Sequence, residues 1–228
     1  MKISIFGAGN VGAACGFASL FELKPEELVI VDINDALASG EALDLAHAAV
    51  VISPQTKVVG GDAVPAIKDS DFIIITAGKA RTPDIKSRDD LFEINKRIIE
   101  AICKGVNEFA PEATILMVTN PSTKLADVAK SVCSGPIVAM DNQLDTARLK
   151  YYLSTTGLKV EDIKSEITGE HGENMQFKIR DAVDEETVEK VKKLVRETGS
   201  NLISLKGFTN WGVASQVVSE IKRIAATH

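Results

Sequence analysis

The sequence is poor in the residues that build disulfide or metal frameworks. Its three cysteines, Cys15, Cys103 and Cys133, are odd in number and far apart. They read as reduced residues in apolar or helical settings, with no disulfide scaffold and no metal-ligand spacing. Histidine is as scarce, limited to His47, His171 and His228. Basic charge is not in excess either: 26 Lys and Arg against 32 Asp and Glu leave a net charge of −6. A negative average potential opposes attraction to phosphate backbones and anionic lipid, so neither nucleic acid nor membrane is an expected partner. No apolar run approaches the roughly 18–20 residues of a membrane span. The apolar run at residues 3–6 is also too short for a signal-peptide core, so a cytosolic location is expected. What is present, 45% hydrophobic and 25% charged residues, is the composition of an ordinary globular protein.

Short β-branched apolar runs at residues 3–6, 28–31, 72–76, 114–118 and 136–139 read as buried parallel strands. Between them, residues 11–23, 35–50, 90–109 and 122–132 read as helices. This alternation predicts an α/β fold, a doubly wound (Rossmann) parallel sheet, over residues 1–140. From Asp141 the pattern changes to a helix at 141–154, a short strand at 166–168, the turn-like Gly169-Glu170-His171-Gly172, and two charged helices at 184–205 and 209–226. A second, smaller α+β domain is expected over residues 141–228. No internal repeat, Pro/Ser linker or low-complexity segment interrupts the chain.

Gly7-Ala8-Gly9-Asn10-Val11-Gly12 follows a predicted strand and opens a helix, the context in which G-x-G-x-x-G binds a dinucleotide. Gly7 allows the tight turn, Gly9 lets a pyrophosphate approach the backbone, and Gly12 lets the helix pack closely on its strand. The helix N-terminus then faces the phosphates with its unpaired N–H groups and partial positive charge. Asp32 follows Gly12 by 20 residues, at the end of the second strand. There a carboxylate accepts both ribose hydroxyls and repels a 2′-phosphate. Ile33 and Asn34 stand where a basic residue would favour NADP, so NAD is the expected cofactor and no metal is expected.

Further along lie Thr76-Ala77-Gly78, Arg81-Thr82-Pro83, Ser87-Arg88-Asp89-Asp90-Leu91, Val118-Thr119-Asn120-Pro121, Leu144-Asp145-Thr146-Ala147-Arg148 and Gly169-Glu170-His171-Gly172-Glu173. With the glycine turn and Asp32, this ordered set resembles the malate and lactate dehydrogenases, most of all the compact malate dehydrogenases of archaea. The resemblance runs over roughly the whole chain. It implies a homo-oligomer, a dimer or tetramer with the helix after Asp32 in the contact, acting on malate and oxaloacetate in the tricarboxylic acid cycle. It implies a cofactor set of Gly7, Gly9, Asn10, Val11, Gly12, Asp32, Thr76, Ala77, Gly78, Asn95, Val118 and Asn120.

Hydride transfer from a secondary alcohol needs a base for the hydroxyl proton, and imidazole titrates near neutrality. His171 fits that role, and Asp145 fits the carboxylate that holds its other ring nitrogen. A dianionic substrate needs guanidinium forks. By the resemblance, Arg148 clamps the C1 carboxylate, Arg88 polarises the C2 oxygen, Asn120 orients substrate and nicotinamide, and Arg81 recognises the distal carboxylate. Lactate enzymes typically carry glutamine at the position of Arg81, which favours malate. The stretch Lys206-Gly207-Phe208-Thr209-Asn210-Trp211-Gly212, with Thr209 near the substrate methylene, is partly lactate-like.

Blander readings stand beside these. Asp145 and Arg148 could be an ordinary helix pair worth about 0.2–0.5 kcal/mol. Arg81 and Arg88 could be solvated loop charges. His47 reads as structural with Asp44. Asp84-Ile85-Lys86 replaces the family's commoner Gly-containing loop tip. The family normally continues several dozen residues further, so the second domain is expected to be truncated. The alternatives are an NAD-binding fragment without turnover, a lactate dehydrogenase, or another NAD-dependent reaction on the same architecture.

Overall fold

The computed structural model describes residues 1–79, 88–169, 171–172 and 174–227, with the backbone alone for Arg88 and Asp89. Arg81, Glu170, Glu173 and His228 therefore lie outside the described residues, as does the side chain of Arg88.

The chain divides into two compact units, one formed by residues 1–140 with 213–228 and the other by residues 141–212. In the first, strands β1 (Lys2–Phe6), β2 (Glu27–Val31), β3 (Lys57–Gly61), β4 (Phe72–Ile75), β5 (Thr114–Met117) and β6 (Ile137–Ala139) form one sheet in the order β3-β2-β1-β4-β5-β6. Every neighbouring pair is parallel. Helices α1 (Asn10–Glu22), α2 (Asp35–Ile52), α3 (Arg88–Phe109) and α4 (Ser122–Lys130) connect the strands. The strand order reverses between β1 and β4, and a doubly wound sheet binds ligands at the carboxyl ends of the strands beside such a switch.

Alternation along each strand sends successive side chains to opposite faces, and both faces are covered. Ile3, Ile5, Leu28, Ile30 and Ile74 pack with residues of α1 and α2, whereas Phe6, Val29, Val31, Ile73 and Ile75 pack with residues of α3 and α4. Ser4 is the polar exception within β1; fully buried, it is satisfied by a 2.7 Å hydrogen bond to the Ser70 hydroxyl.

Strand β3 was not anticipated. Lys57-Val58-Val59-Gly60-Gly61 carries two β-branched residues followed by glycines, too weak a run to read as a strand. Gly60 is required by close packing: a Cβ there would lie 2.3 Å from the Ala42 methyl and 2.4 Å from the Ala38 carbonyl oxygen of α2. The helix α7 (Trp211–Ala225) also differs from the expected division at residue 141. Its Ala214, Val217 and Ile221 join the core beside Ile3, Cys15 and Leu20, and its Lys222 pairs with Glu22 of α1. The final helix thus belongs mainly to the first unit.

The second unit holds α5 (Asn142–Ser154), β7 (Glu166–Thr168), β8 (Gln176–Lys178) and α6 (Glu185–Lys206). Strands β7 and β8 pair antiparallel, β8 being too short and polar to stand out in the sequence. Leu149, Leu153, Ile163, Ile167, Met175, Val191 and Val195 give this unit a core of its own.

Candidate active site

The glycine turn at the end of β1 assigns each glycine a separate task. Gly7 adopts φ +105°, and a Cβ on it would lie 2.6 Å from Thr76 Oγ1. Gly12 lies against the turn itself, where a Cβ would come 1.8 Å from the Gly7 carbonyl oxygen. Gly9 has nothing among the described residues within 4 Å of an added Cβ. It is also the N-cap of α1 and offers no side-chain cap, and the first turn carries no acidic residue. The turn leaves room at the positive end of a helix dipole, the arrangement that fits a pyrophosphate. Asn10 is exposed and Val11 half-buried at the start of the same helix.

Asp32 directly follows β2. One carboxylate oxygen accepts the Ala8 N–H at 2.8 Å and the other the Asn34 N–H at 2.9 Å. This carboxylate therefore ties the glycine turn to the end of the second strand. Ile33 beside it is fully exposed.

At the end of β4, the Thr76 hydroxyl donates to the Phe6 and Gly7 carbonyls, both at 3.1 Å. Thr119 donates to the Ala77 carbonyl at 2.8 Å, and a Cβ on Gly78 would meet the Thr119 methyl at 2.4 Å. The carboxyl ends of β1, β4 and β5 are thus laced together, with Val118 half-buried and Asn120 exposed after a cis Asn120–Pro121 bond is formed to its successor.

Asn95, expected among the cofactor residues, bonds to the backbone of the strand-end loops. It is fully buried in α3; its Oδ1 accepts the Lys79 N–H at 2.7 Å, and its Nδ2 donates to the Asn120 carbonyl at 2.9 Å and the Lys79 carbonyl at 3.3 Å. Its side chain serves backbone on both sides and supports the strand-end loops.

In the second unit, α5 presents Asp145 and Arg148 one turn apart. Asp145 is 1% exposed; its Oδ2 lies 2.6 Å from His171 Nδ1, and its Oδ1 accepts a hydrogen bond from Arg148 Nη1 at 2.9 Å. Both carboxylate oxygens are committed, so the buried charge is compensated. The hydrogen bond to Asp145 raises the pKa of His171 above its ordinary value. Burial and the Arg148 charge oppose that rise, while the charges of Asp145 and Asp141 add to it. Nε2 is the ring nitrogen not engaged with Asp145, and the side chain is 43% exposed. This cluster can take a proton from, and return it to, a substrate oxygen.

Sequence reasoning missed two contributors. Asp141, beside the start of α5, adds to the field on His171. Thr146 Oγ1 accepts the Ile167 N–H at 2.9 Å and so fastens β7, the strand that leads to His171, onto α5. Its position next to Asp145 was the available signal. Thr209 lies half-buried in the connection from α6 to α7. His47 is exposed on α2. Burial raises the Cys15 thiol to about 12, which keeps it protonated within the core.

The family described as lactate/malate dehydrogenase, NAD binding domain, matches residues 1–137. Over 230 residues the chain is 38% identical to the malate dehydrogenase of Archaeoglobus fulgidus, covering 98% of this chain and 77% of that protein. It is 31% identical over 251 residues to the L-lactate dehydrogenase of Kosmotoga olearia, covering 100% of this chain and 77% of that one. Among solved structures, the A. fulgidus malate dehydrogenase in complex with NADH aligns with a TM-score of 0.89 at 37% identity, over 99% of this chain and 78% of the other. The apo malate dehydrogenase of Picrophilus torridus aligns with a TM-score of 0.87 at 26% identity, over 96% of this chain and 74% of the other.

Proposed function

The chain belongs to the lactate/malate dehydrogenase family, and on that premise we propose that it is a cytosolic NAD-dependent malate dehydrogenase. NAD supplies the hydride acceptor at C2 of malate, and its reduced form the donor to oxaloacetate. The observation that carries the reading is the Asp145 carboxylate held between His171 and Arg148.

In malate oxidation, His171 Nε2 removes the C2 hydroxyl proton, and Asp145 fixes the tautomer and stabilises the resulting imidazolium. In oxaloacetate reduction the proton returns by the same route. Arg148 clamps the C1 carboxylate with guanidinium N–H groups other than the one given to Asp145. Arg88 polarises the C2 oxygen, Asn120 orients substrate and nicotinamide, Arg81 takes the distal carboxylate, and Thr209 borders the C3 end. Gly7, Gly9, Asn10, Val11, Gly12, Asp32, Thr76, Ala77, Gly78 and Val118 hold the dinucleotide, with Asn95 behind them.

A homo-oligomer is part of the proposal. Leu43, Val50 and Val51 on α2 and Phe17 and Phe21 on α1 are exposed, which gives apolar area for a second copy to cover.

The test is NADH oxidation with oxaloacetate and pyruvate side by side. The expected result is turnover with oxaloacetate preferred by at least about tenfold, the worth of one charged pair. Preference for pyruvate would establish the lactate alternative, which the lactate-like stretch around Thr209 favours. Silence with both, alongside retained NADH binding, would leave an NAD-binding chain without turnover.

A further inference from the structure

The connection between α6 and α7 is pinned by one ammonium. Lys206, the last residue of α6, donates from Nζ to Asn210 Oδ1 at 2.9 Å. The same Nζ lies 4.7 Å from the ring centroid of Phe208 and 5.7 Å from that of Trp211. It thus reaches three of the next five residues, each within range for a hydrogen bond or a cation–π contact. Asn210 is only 7% exposed, so its accepting oxygen is held in place. Gly207 turns the chain at φ +88° and closes the end of α6.

This strap is fitted to the helix that carries the proton-transfer cluster. A Cβ on Gly212 would lie 2.8 Å from Leu144 Cδ1, and Leu144 immediately precedes Asp145. Between the ammonium at one end and that contact at the other sits Thr209. The charge on Lys206 therefore acts through the shape of residues 207–212.

We propose that Lys206 is a positioning and specificity-determining residue: it pins the strap against α5 and sets where Thr209 stands relative to the substrate's C3 end. The proposal rests on the dehydrogenase reading above. Arginine would serve the same purpose, because its guanidinium stacks on aromatic faces and donates in several directions. Methionine would keep the apolar stem and lose both the donor and the charge.

The test uses Lys206→Met, Lys206→Arg and Asn210→Leu in the full chain. Trp211 is the only tryptophan, so its emission and its quenching by acrylamide report the strap without substrate. Lys206→Met and Asn210→Leu are expected to change Trp211 quenching and to raise KM for oxaloacetate at least about fivefold, with kcat and NADH affinity within about twofold. The ratio of oxaloacetate to pyruvate use should shift with them, and Lys206→Arg should restore both readouts. Unchanged Trp211 quenching in Lys206→Met overturns the pin, whether or not the wild-type chain turns over either acid. Equal losses on both acids that follow melting temperature also overturn it, since they describe a stability role alone. A shifted ratio in Lys206→Met but not in Asn210→Leu would mean that the charge meets the substrate directly, and would likewise overturn it. Wild-type silence with both acids would instead remove the dehydrogenase reading, while the Trp211 measurement still decides the pin.

Discussion

The glycine turn of the first unit and the Asp145 cluster of the second handle charge in opposite ways. The turn works by omission: Gly9 leaves space, Gly12 permits contact, and the polarity comes from backbone amides at the start of α1. The cluster works by commitment, with two side chains, His171 and Arg148, locked onto a carboxylate that is 1% exposed. A site made of backbone is specified by what is missing from a few consecutive residues. A site made of side chains needs groups far apart in the chain, here Asp145 and His171, brought within 2.6 Å.

That contrast predicts separable failures. The largest effect is expected from His171→Asn, which should lower kcat on the order of 10³-fold while leaving NADH affinity, read by fluorescence titration, nearly intact. A large loss of NADH affinity would show that the two regions are not functionally separate. Next, Asp145→Asn should lower kcat on the order of 10²-fold or more, by releasing the imidazole tautomer and removing the negative charge that compensates Arg148.

Asp145→Asn should also move the pH profile. Its carboxylate raises the His171 pKa, and the proposed malate oxidation draws on the neutral imidazole. Removing the carboxylate should therefore shift the acid limb of malate oxidation toward lower pH. The same link governs stability: the contribution of a raised imidazole is complete below its unfolded pKa of about 6.5 and is lost as pH rises through the higher folded value. The melting temperature of the wild type should accordingly fall more steeply across that window than that of His171→Asn.

A smaller change is expected from Arg81→Gln, which should weaken oxaloacetate use about tenfold more than pyruvate use, because only the dianion loses a charge pair. Equal losses in steady-state kinetics would remove Arg81 as the discriminator. Sharpest as a comparison, and smallest in its effect on turnover, is a pair of alanines in the turn. Gly12→Ala forces a Cβ into the Gly7 carbonyl and should cost about 1–3 kcal/mol of stability or more. Gly9→Ala meets nothing among the described residues, so it should leave the melting temperature within a few degrees and weaken NADH binding alone.

The two regions also differ in how far the sequence disclosed them. The inner strands were legible because Ile73-Ile74-Ile75 and Leu28-Val29-Ile30 are buried on both faces and carry no polar interruption. Strand β3 was hidden because the glycine that lets α2 approach it is the residue type least suggestive of a strand. For α7, an amphipathic pattern signals a helix but does not say which core will receive it. The turn and the His171–Asp145 pairing could be read from motif order and from the chemistry each motif serves. Asn95 could not: an asparagine in a charged helix looks like surface, and its service to the Lys79 and Asn120 backbone depends on loops that the helix pattern does not describe. Of the two readings of Arg148, the structure shows the helix partner of Asp145, and the substrate clamp belongs to the proposal.

The hydrogen bond from Ala8 to Asp32 couples two choices that look independent. In the proposed cofactor site, the residue assigned to the ribose is also a guy-rope for the turn assigned to the phosphates. Anyone redesigning the chain to accept NADP by replacing Asp32 would slacken the glycine turn at the same stroke, and a successful redesign has to supply a new acceptor for Ala8 as well as a counter-charge for the added phosphate.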